Sequence, residues 1–275
     1  MTEELAKFIK QNIKLIDESE FDNLYKKAHN EGVQLAELTQ MLLESDVEFL
    51  SSMTKIPGKC FAGINSLKQI IIPDSVQSIG DFAFTNCTNL KHVELSSKLL
   101  DTGYSTFSGC GLNSIWIPKS LRVIGCGSFA SCTDLTSLTF EERSKCNEID
   151  DSAFEYCGKL KTVRLPESLE ILGKYAFSSC ESLEDITIGS NVKTIHTTTF
   201  YDCANLTTIT ILGNSAVFSG LMFETNPQLK TININISKNE FISRFGSKKW
   251  YQNLKQRNNV TINCVDGIIK WGKII

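Results

Sequence analysis

A phenylalanine recurs every 22 to 25 residues along most of the chain, and this repeat constrains the fold more than any other feature. The eight phenylalanines are Phe61, Phe84, Phe107, Phe129, Phe154, Phe177, Phe200 and Phe223. Six of them are followed three residues later by a cysteine, at Cys87, Cys110, Cys132, Cys157, Cys180 and Cys203. A period of this length is typical of solenoids, in which each unit buries its apolar edge by stacking on its neighbours.

Each unit also contains a short segment in which apolar residues alternate with other residues. Ile70 and Ile72 alternate in this way, and so do seven equivalent pairs further along the chain. Alternation with a period of two predicts a short strand with one buried face. A proline ends the strand in stretches such as IPDSVQSIG and LPESLEILG, and a glycine follows the next apolar pair. Proline cannot donate to a β-ladder and glycine accepts unusual backbone angles, so these residues mark the corners of a coil.

The pattern F-x-x-C-x-x-L-x-x-I-x-I-P, followed by I-G-x-x-A-F, resembles the BspA-type leucine-rich repeat over roughly Met53 to Ile236. Such repeats are known from bacterial surface proteins, protist proteins and some phage proteins. The resemblance implies an α/β leucine-rich-repeat solenoid with a parallel β-sheet on its concave face. It implies a binding scaffold and no single activity, because this fold serves unrelated functions.

The sequence predicts three regions: a helical N-terminal domain at 1–52, the solenoid at 53–236, and a C-terminal cap and tail at 237–275. Two interpretations of the N-terminal helices stay open, since they either cap the first coil or form an independent docking domain. At the other end we expect a helix or two at 237–258, with Phe241, Phe245, Trp250 and Leu254 as the apolar set, and then a last strand at VTINCV. The apolar tail DGIIKWGKII either folds back on this cap or joins two chains into a homo-oligomer.

Charge and hydropathy exclude some classes of partner. The formal charge of -3 gives no net field that would attract nucleic acid or anionic lipid. No run of the sequence approaches the roughly 18 apolar residues that a membrane-spanning helix needs, and the N-terminus lacks the apolar core of a signal peptide. We therefore expect a cytoplasmic protein without membrane insertion, in which the cysteines stay reduced.

Catalytic, metal and cofactor sites are not expected. The three histidines, His29, His92 and His196, are far apart, and no nucleophile, phosphate-loop or dinucleotide motif is present. Cys87 and His92 come nearest to a catalytic pair, but strand alternation directs them to opposite faces. No C-x-x-C pair occurs, which argues against a metal site. Stacked cysteines are close enough for disulfides, but their side chains would point in parallel and an intracellular setting disfavours oxidation, so the column is interpreted as a reduced ladder in the core. Cys146, in the insertion EERSKCNE, is expected to be the most exposed thiol.

Binding is the remaining function, and alternation predicts which side chains face solvent on the sheet. The candidate partner-binding residues are Ile71, His92, Glu94, Trp116 and Arg164, whereas the second half of the sheet presents mainly threonine. We expect a non-enzymatic protein-binding scaffold that uses the concave sheet and rim loops. Its expected partner is an intracellular protein, such as a host protein that it could inhibit. The alternatives are a cell-surface adhesin for host attachment and, third, an enzyme.

Overall fold

The structure, a computed structural model, describes residues 53–196, 198–214, 225–248, 251–252 and 260–270. Several predicted features lie outside these ranges: the helical domain at 1–52, the eighth phenylalanine Phe223, Trp250 and Leu254 of the C-terminal apolar set, and the last five residues of the tail.

Two series of short strands alternate along the chain. The first series, called the face strands, comprises β2 (Gln69–Ile71), β4 (His92–Glu94), β6 (Ser114–Ile117), β8 (Ser137–Phe140), β10 (Thr162–Arg164), β12 (Asp185–Ile188), β14 (Thr208–Ile211) and β15 (Thr231–Ile234). The second, called the return strands, comprises β1 (Lys55–Ile56), β3 (Ser78–Ile79), β5 (Asp101–Thr102), β7 (Val123–Ile124), β9 (Glu148–Ile149), β11 (Ile171–Leu172) and β13 (Thr194–Ile195). This arrangement confirms the predicted leucine-rich-repeat solenoid with a parallel sheet.

The two series form ladders of different continuity. The return strands make one seven-stranded parallel sheet in the order β1-β3-β5-β7-β9-β11-β13. The face strands pair as β2-β4, as β6-β8 and as β10-β12-β14-β15, so this ladder is interrupted between β4 and β6 and between β8 and β10. Both interruptions adjoin units of irregular length, since Phe107 and Phe129 are 22 residues apart and Phe129 and Phe154 are 25 apart. The inward residue Val93 on β4, next to the first interruption, is only partly buried, and so is Phe140 on β8, next to the second.

A stack of phenylalanine rings runs through the core. The seven described members of the repeat column are fully buried, and successive ring centroids lie 4.8 to 6.0 Å apart with interplanar angles of 2° to 18°. Stacked aromatic pairs contribute about 0.5–1.5 kcal/mol beyond the burial of their area. The sequence aligned these phenylalanines but did not predict that their rings stack.

The cysteine column lies beside this stack, and its thiols donate hydrogen bonds to the main chain of the stacked phenylalanines. Each column thiol donates to the main-chain carbonyl of the phenylalanine one unit earlier, with Sγ···O distances of 2.9 to 3.3 Å. Asn226 ends the column: its Nδ2 donates to the Phe200 carbonyl at 2.9 Å, and its Oδ1 accepts the Cys203 N–H at 3.0 Å. All ten cysteines are described, and all are free thiols. The predicted core role of the column is confirmed.

The prediction that Cys146 is the most exposed thiol is wrong, because its side chain is fully buried. Cys146 stands three residues before Ile149, as Leu121 stands three before Ile124, so it fills an inward position of the return arm. The extra residues of the insertion all precede it. Burial raises the pKa of the Cys146 thiol to about 12. The partly exposed thiols are Cys126 and Cys264.

The C-terminal region extends the sheet. Helix α1 (Lys238–Phe245) begins at Ser237, whose Oγ accepts the Glu240 N–H at 3.1 Å, and it buries Phe241 and Phe245 as expected. The predicted last strand is β16 (Thr261–Cys264), which pairs in parallel with β15. The chain then turns into β17 (Gly267–Lys270), antiparallel to β16, so this part of the tail folds back on the cap. The prediction of a homo-oligomer stays a prediction.

Candidate protein-binding face

The side chains that alternate with core residues on the face strands point to solvent in register. Pairing places Ile71 beside Glu94 and Trp116 beside Thr139. The repeat puts Arg164 in the same position of the next unit, so these five residues form one row, called the face row. The two steps between paired strands, from Ile71 to Glu94 and from Trp116 to Thr139, are about 4.8 Å each.

The face row exposes two large apolar side chains among charged ones. Ile71 is 63% exposed and Trp116 is 57% exposed. His92, on β4, lies in the neighbouring row opposite Gln69 and is also exposed. Among the described residues, the side chains of His92 and Glu94 have no hydrogen-bond or ion-pair partner, so they remain available to a ligand. All five sequence-predicted residues therefore lie on the solvent side of the face strands, and their role in binding stays a prediction.

The far end of the face differs in character, because its polar side chains bond to one another. Asn263 Nδ2 donates to Asn233 Oδ1 at 2.7 Å, and Asn233 Nδ2 donates to Thr210 Oγ1 at 2.9 Å. These side chains satisfy part of their hydrogen-bonding capacity within the sheet. Partner contacts are accordingly expected nearer Trp116 than Asn233.

A groove of about 720 Å³ opens on the face where β8 and β10 fail to pair. The groove, called the β8–β10 groove, has an apolar part formed by Leu138, Phe140, Leu165 and Pro166. The groove adjoins the insertion EERSKCNE and was not predicted from the sequence. The available signals were the 25-residue spacing and the larger Phe140 at a position where other units carry leucine or isoleucine.

Four charged residues line the β8–β10 groove, and the two carboxylates are already engaged. Glu141 Oε2 accepts the Lys119 N–H at 2.8 Å, and Glu167 Oε2 accepts the N–H and hydroxyl of Ser190 at 2.9 and 2.7 Å. The bonds from Ser190 hold the pKa of the Glu167 carboxyl below its usual value, so it is ionised at neutral pH. By contrast, the guanidinium groups of Arg143 and Arg164 donate no hydrogen bond to a residue that the structure describes. The charge of Arg164 nevertheless also contributes to lowering the pKa of Glu167.

The rim beside the face carries a three-residue ion cluster. Asp134 Oδ2 lies 2.8 Å from Lys91 Nζ, and its Oδ1 lies 2.7 Å from Lys159 Nζ. Hydrogen bonds from Lys159 and then Lys91 hold the pKa of Asp134 at about 2. The Lys91 side chain passes close to Gly111, which belongs to the 22-residue unit between Phe107 and Phe129. The Lys91–Asp134 pair thus crosses the first interruption of the face ladder, and the Asp134–Lys159 pair crosses the second.

In the part of the chain that the structure describes, Cys87 and His92 do not form a catalytic pair. Cys87 is buried in the core while His92 is exposed on the face, so the two lie on opposite sides of the sheet. Burial raises the pKa of Cys132 and Cys203 to about 12, which keeps these thiols protonated at neutral pH. Within the described ranges, no group of three His, Cys, Asp or Glu side chains could hold a metal ion. In the same ranges, no helix has the length and apolar character needed to cross a bilayer.

Comparisons with known proteins agree with the repeat pattern. The family model described as "BspA type Leucine rich repeat region (6 copies)" matches residues 54–163 and 143–248. Comparison with curated protein sequences gave no significant match.

Three solved structures illustrate the similarity. A leucine-rich repeat protein from Bacteroides ovatus is 29% identical with a TM-score of 0.49, and the match covers 66% of this chain and 53% of that one. The T. pallidum leucine rich repeat protein is 31% identical with a TM-score of 0.44, covering 60% and 66%. A leucine rich cell surface protein from Faecalibacterium prausnitzii is 22% identical with a TM-score of 0.41, covering 66% and 64%. The chain spans about half the length of the Bacteroides ovatus protein.

The repeat columns, the stacked parallel ladders and the family match from residue 54 to residue 248 all lead to one assignment. The chain belongs to the BspA-type leucine-rich-repeat family.

Proposed function

We propose that this chain is a non-enzymatic scaffold that binds a protein partner through its face strands and rim loops. The contact surface is centred on Ile71, His92, Glu94, Trp116 and Arg164. The single observation that carries the proposal is that Trp116, 57% exposed, shares a row on the sheet surface with Ile71, which is 63% exposed. Tryptophan and arginine are enriched among the residues that dominate binding energy at protein interfaces.

The partner we propose is an intracellular protein, such as a host protein whose activity is inhibited when it is bound. The formal charge of -3 supports a protein partner over nucleic acid, which attracts basic surfaces. Cell fractionation tests the location, because recovery of the native chain at the cell surface would favour the adhesin alternative.

Affinity capture tests the binding surface. The immobilised chain is compared with its Trp116→Ala and Arg164→Ala variants, using lysate of the source organism or its host. A residue at the centre of an interface contributes about 2 kcal/mol or more, so each variant should bind the captured partner roughly 30-fold more weakly. Ile171→Ala is the matched control, because Ile171 is 51% exposed but lies on return strand β11. Equal binding by the native chain and the Trp116→Ala variant would show that the face is not the site.

A further inference from the structure

The β8–β10 groove is held open by the fold on its other side. The return strands behind it stay paired, with Ile124 beside Ile149 and Ile149 beside Leu172. Phe129 N–H also donates to the Ala153 carbonyl at 2.8 Å. The two units are therefore in contact through the core while their face strands remain unpaired, so the groove is a built feature of the coil.

Charge selects the class of ligand that suits this groove. The carboxylates of Glu141 and Glu167 already accept backbone N–H groups, whereas the guanidinium groups of Arg143 and Arg164 have no hydrogen-bond acceptor among the described residues. Guanidinium binds carboxylate through two parallel hydrogen bonds, which is stronger than a neutral hydrogen bond. The two guanidinium groups are thus the charged donors left for a ligand, and the ligand group that matches them is a carboxylate.

The walls of the groove suit an extended chain. Ser137 and Thr139 lie two residues apart on β8, and Thr162 lies on β10. Their hydroxyl groups make no hydrogen bond with a described residue, so they are available to main-chain groups of a ligand. In an extended ligand chain that runs parallel to the strands, equivalent main-chain groups recur every two residues, which matches the spacing of Ser137 and Thr139. Leu138 and Phe140 supply apolar contact beneath it.

We propose that the β8–β10 groove binds an extended acidic segment of the protein partner, with a carboxylate of that segment held by Arg143 and Arg164. This inference rests on the proposed function and adds the chemistry of one part of the contact. Arg143 belongs to the insertion and turns the chain with a left-handed φ of 57°. Ten other non-glycine residues share such angles, but they occupy the regular turns of the coils. The insertion thus supplies the second arginine that the regular repeat lacks.

Fluorescence anisotropy with two labelled octapeptides tests the inference. One probe alternates glutamate with threonine, and the other alternates glutamine with threonine. The glutamate peptide should bind at least tenfold more tightly than the glutamine peptide, and the difference should shrink as salt screens the charges. The double variant Arg143→Gln/Arg164→Gln should lose at least tenfold in affinity for the glutamate peptide. Arg122→Gln is the matched control, because Arg122 is an exposed arginine beside return strand β7.

Three results would overturn the inference: no binding of the glutamate peptide, equal binding of the two peptides, or an equal loss of affinity in the Arg122→Gln control. Unchanged thermal unfolding midpoints of the variants establish that they fold. If Trp116→Ala abolishes partner capture but the glutamate peptide does not bind, the groove inference fails and the proposed function stands. If the peptide binds as expected but Trp116→Ala leaves capture intact, the proposed face fails and the groove stands.

Discussion

The cysteine column offers the sharpest test of how this solenoid is stabilised, because its thiols both fill space and donate hydrogen bonds. Cys87 is fully buried, and its Sγ donates to the Phe61 carbonyl at 2.9 Å. Cys180 is equally buried, but its Sγ lies 3.3 Å from the Phe154 carbonyl. The two sites therefore differ in hydrogen-bond length while sharing the same burial.

Alanine and serine substitutions at both sites separate packing from hydrogen bonding. Alanine removes buried apolar volume that contributes about 1 kcal/mol and a hydrogen bond that contributes about 0.5–1 kcal/mol, so we expect a loss of about 2 kcal/mol at either site. Serine keeps a donor, but its oxygen lies a few tenths of an ångström farther from the acceptor, since a C–O bond is shorter than a C–S bond. At Cys87 the hydroxyl stays within hydrogen-bonding distance, and Cys87→Ser should cost about 1 kcal/mol. At Cys180 the hydroxyl falls beyond that distance, and Cys180→Ser should cost about 2 kcal/mol or more.

Equilibrium unfolding in urea, followed by circular dichroism in the presence of a reductant, gives the free energies of unfolding. An unchanged dependence on urea concentration is required before the variants are compared, because repeat proteins can unfold in stages. If serine destabilises both sites equally, or if Cys87→Ser is no better than Cys87→Ala, the thiols act only as apolar filler and the hydrogen-bond reasoning is refuted.

Three further outcomes follow from the described contacts. In the native protein a thiol reagent should react readily only with Cys126 and Cys264, because the other eight thiols are buried. After denaturation without reductant, all ten thiols should react. Fast reaction of more than two thiols in the native protein would contradict the buried column. Because folding depresses the pKa of Asp134 from 3.8 to about 2, its contribution is present above pH 3.8 and lost as the pH falls toward 2; Asp134→Asn should remove that part of the acid sensitivity. Solvent exposure keeps this contribution below about 1 kcal/mol, which urea unfolding at pH 6 and pH 2.5 measures. Gly111→Ala places a Cβ 2.2 Å from a carbonyl oxygen of the preceding unit and should lower the unfolding midpoint by several degrees, whereas Gly158→Ala, with open space around it, should not.

Strand positions and face assignments were predictable from the sequence because burial in a stacked coil produces a regular pattern of apolar residues. An inward residue on every second strand position produces the alternation, and stacking repeats that alternation at the length of one coil. At the first described unit, Ile56 pairs with Ile79 in the same way as the later return strands pair with one another. The solvent exposure of Ile71 and Trp116 follows from the same rule.

Features that depend on the backbone path around an irregular unit were not predictable. The burial of Cys146 depends on whether the extra residues come before or after it, and polarity of the surrounding insertion suggested the wrong answer. The β8–β10 groove depends on how far that insertion separates two neighbouring strands, which residue types alone do not state. Engagement of Glu141 and Glu167 by backbone N–H groups likewise requires distances, because sequence gives only their charge.

The unequal continuity of the two ladders gives the solenoid a preferred direction of bending. The return ladder runs unbroken from β1 to β13, so opening the coil on that side must break hydrogen bonds at every unit. The face ladder has two places where no strand pairing has to be broken. We therefore expect flexing that spreads the face to meet less resistance than flexing that spreads the return side, although the ion cluster around Asp134 crosses the two interruptions through side chains. A partner that binds across the β4–β6 and β8–β10 interruptions would be expected to stiffen the coil, because it would connect face strands that are not paired with each other.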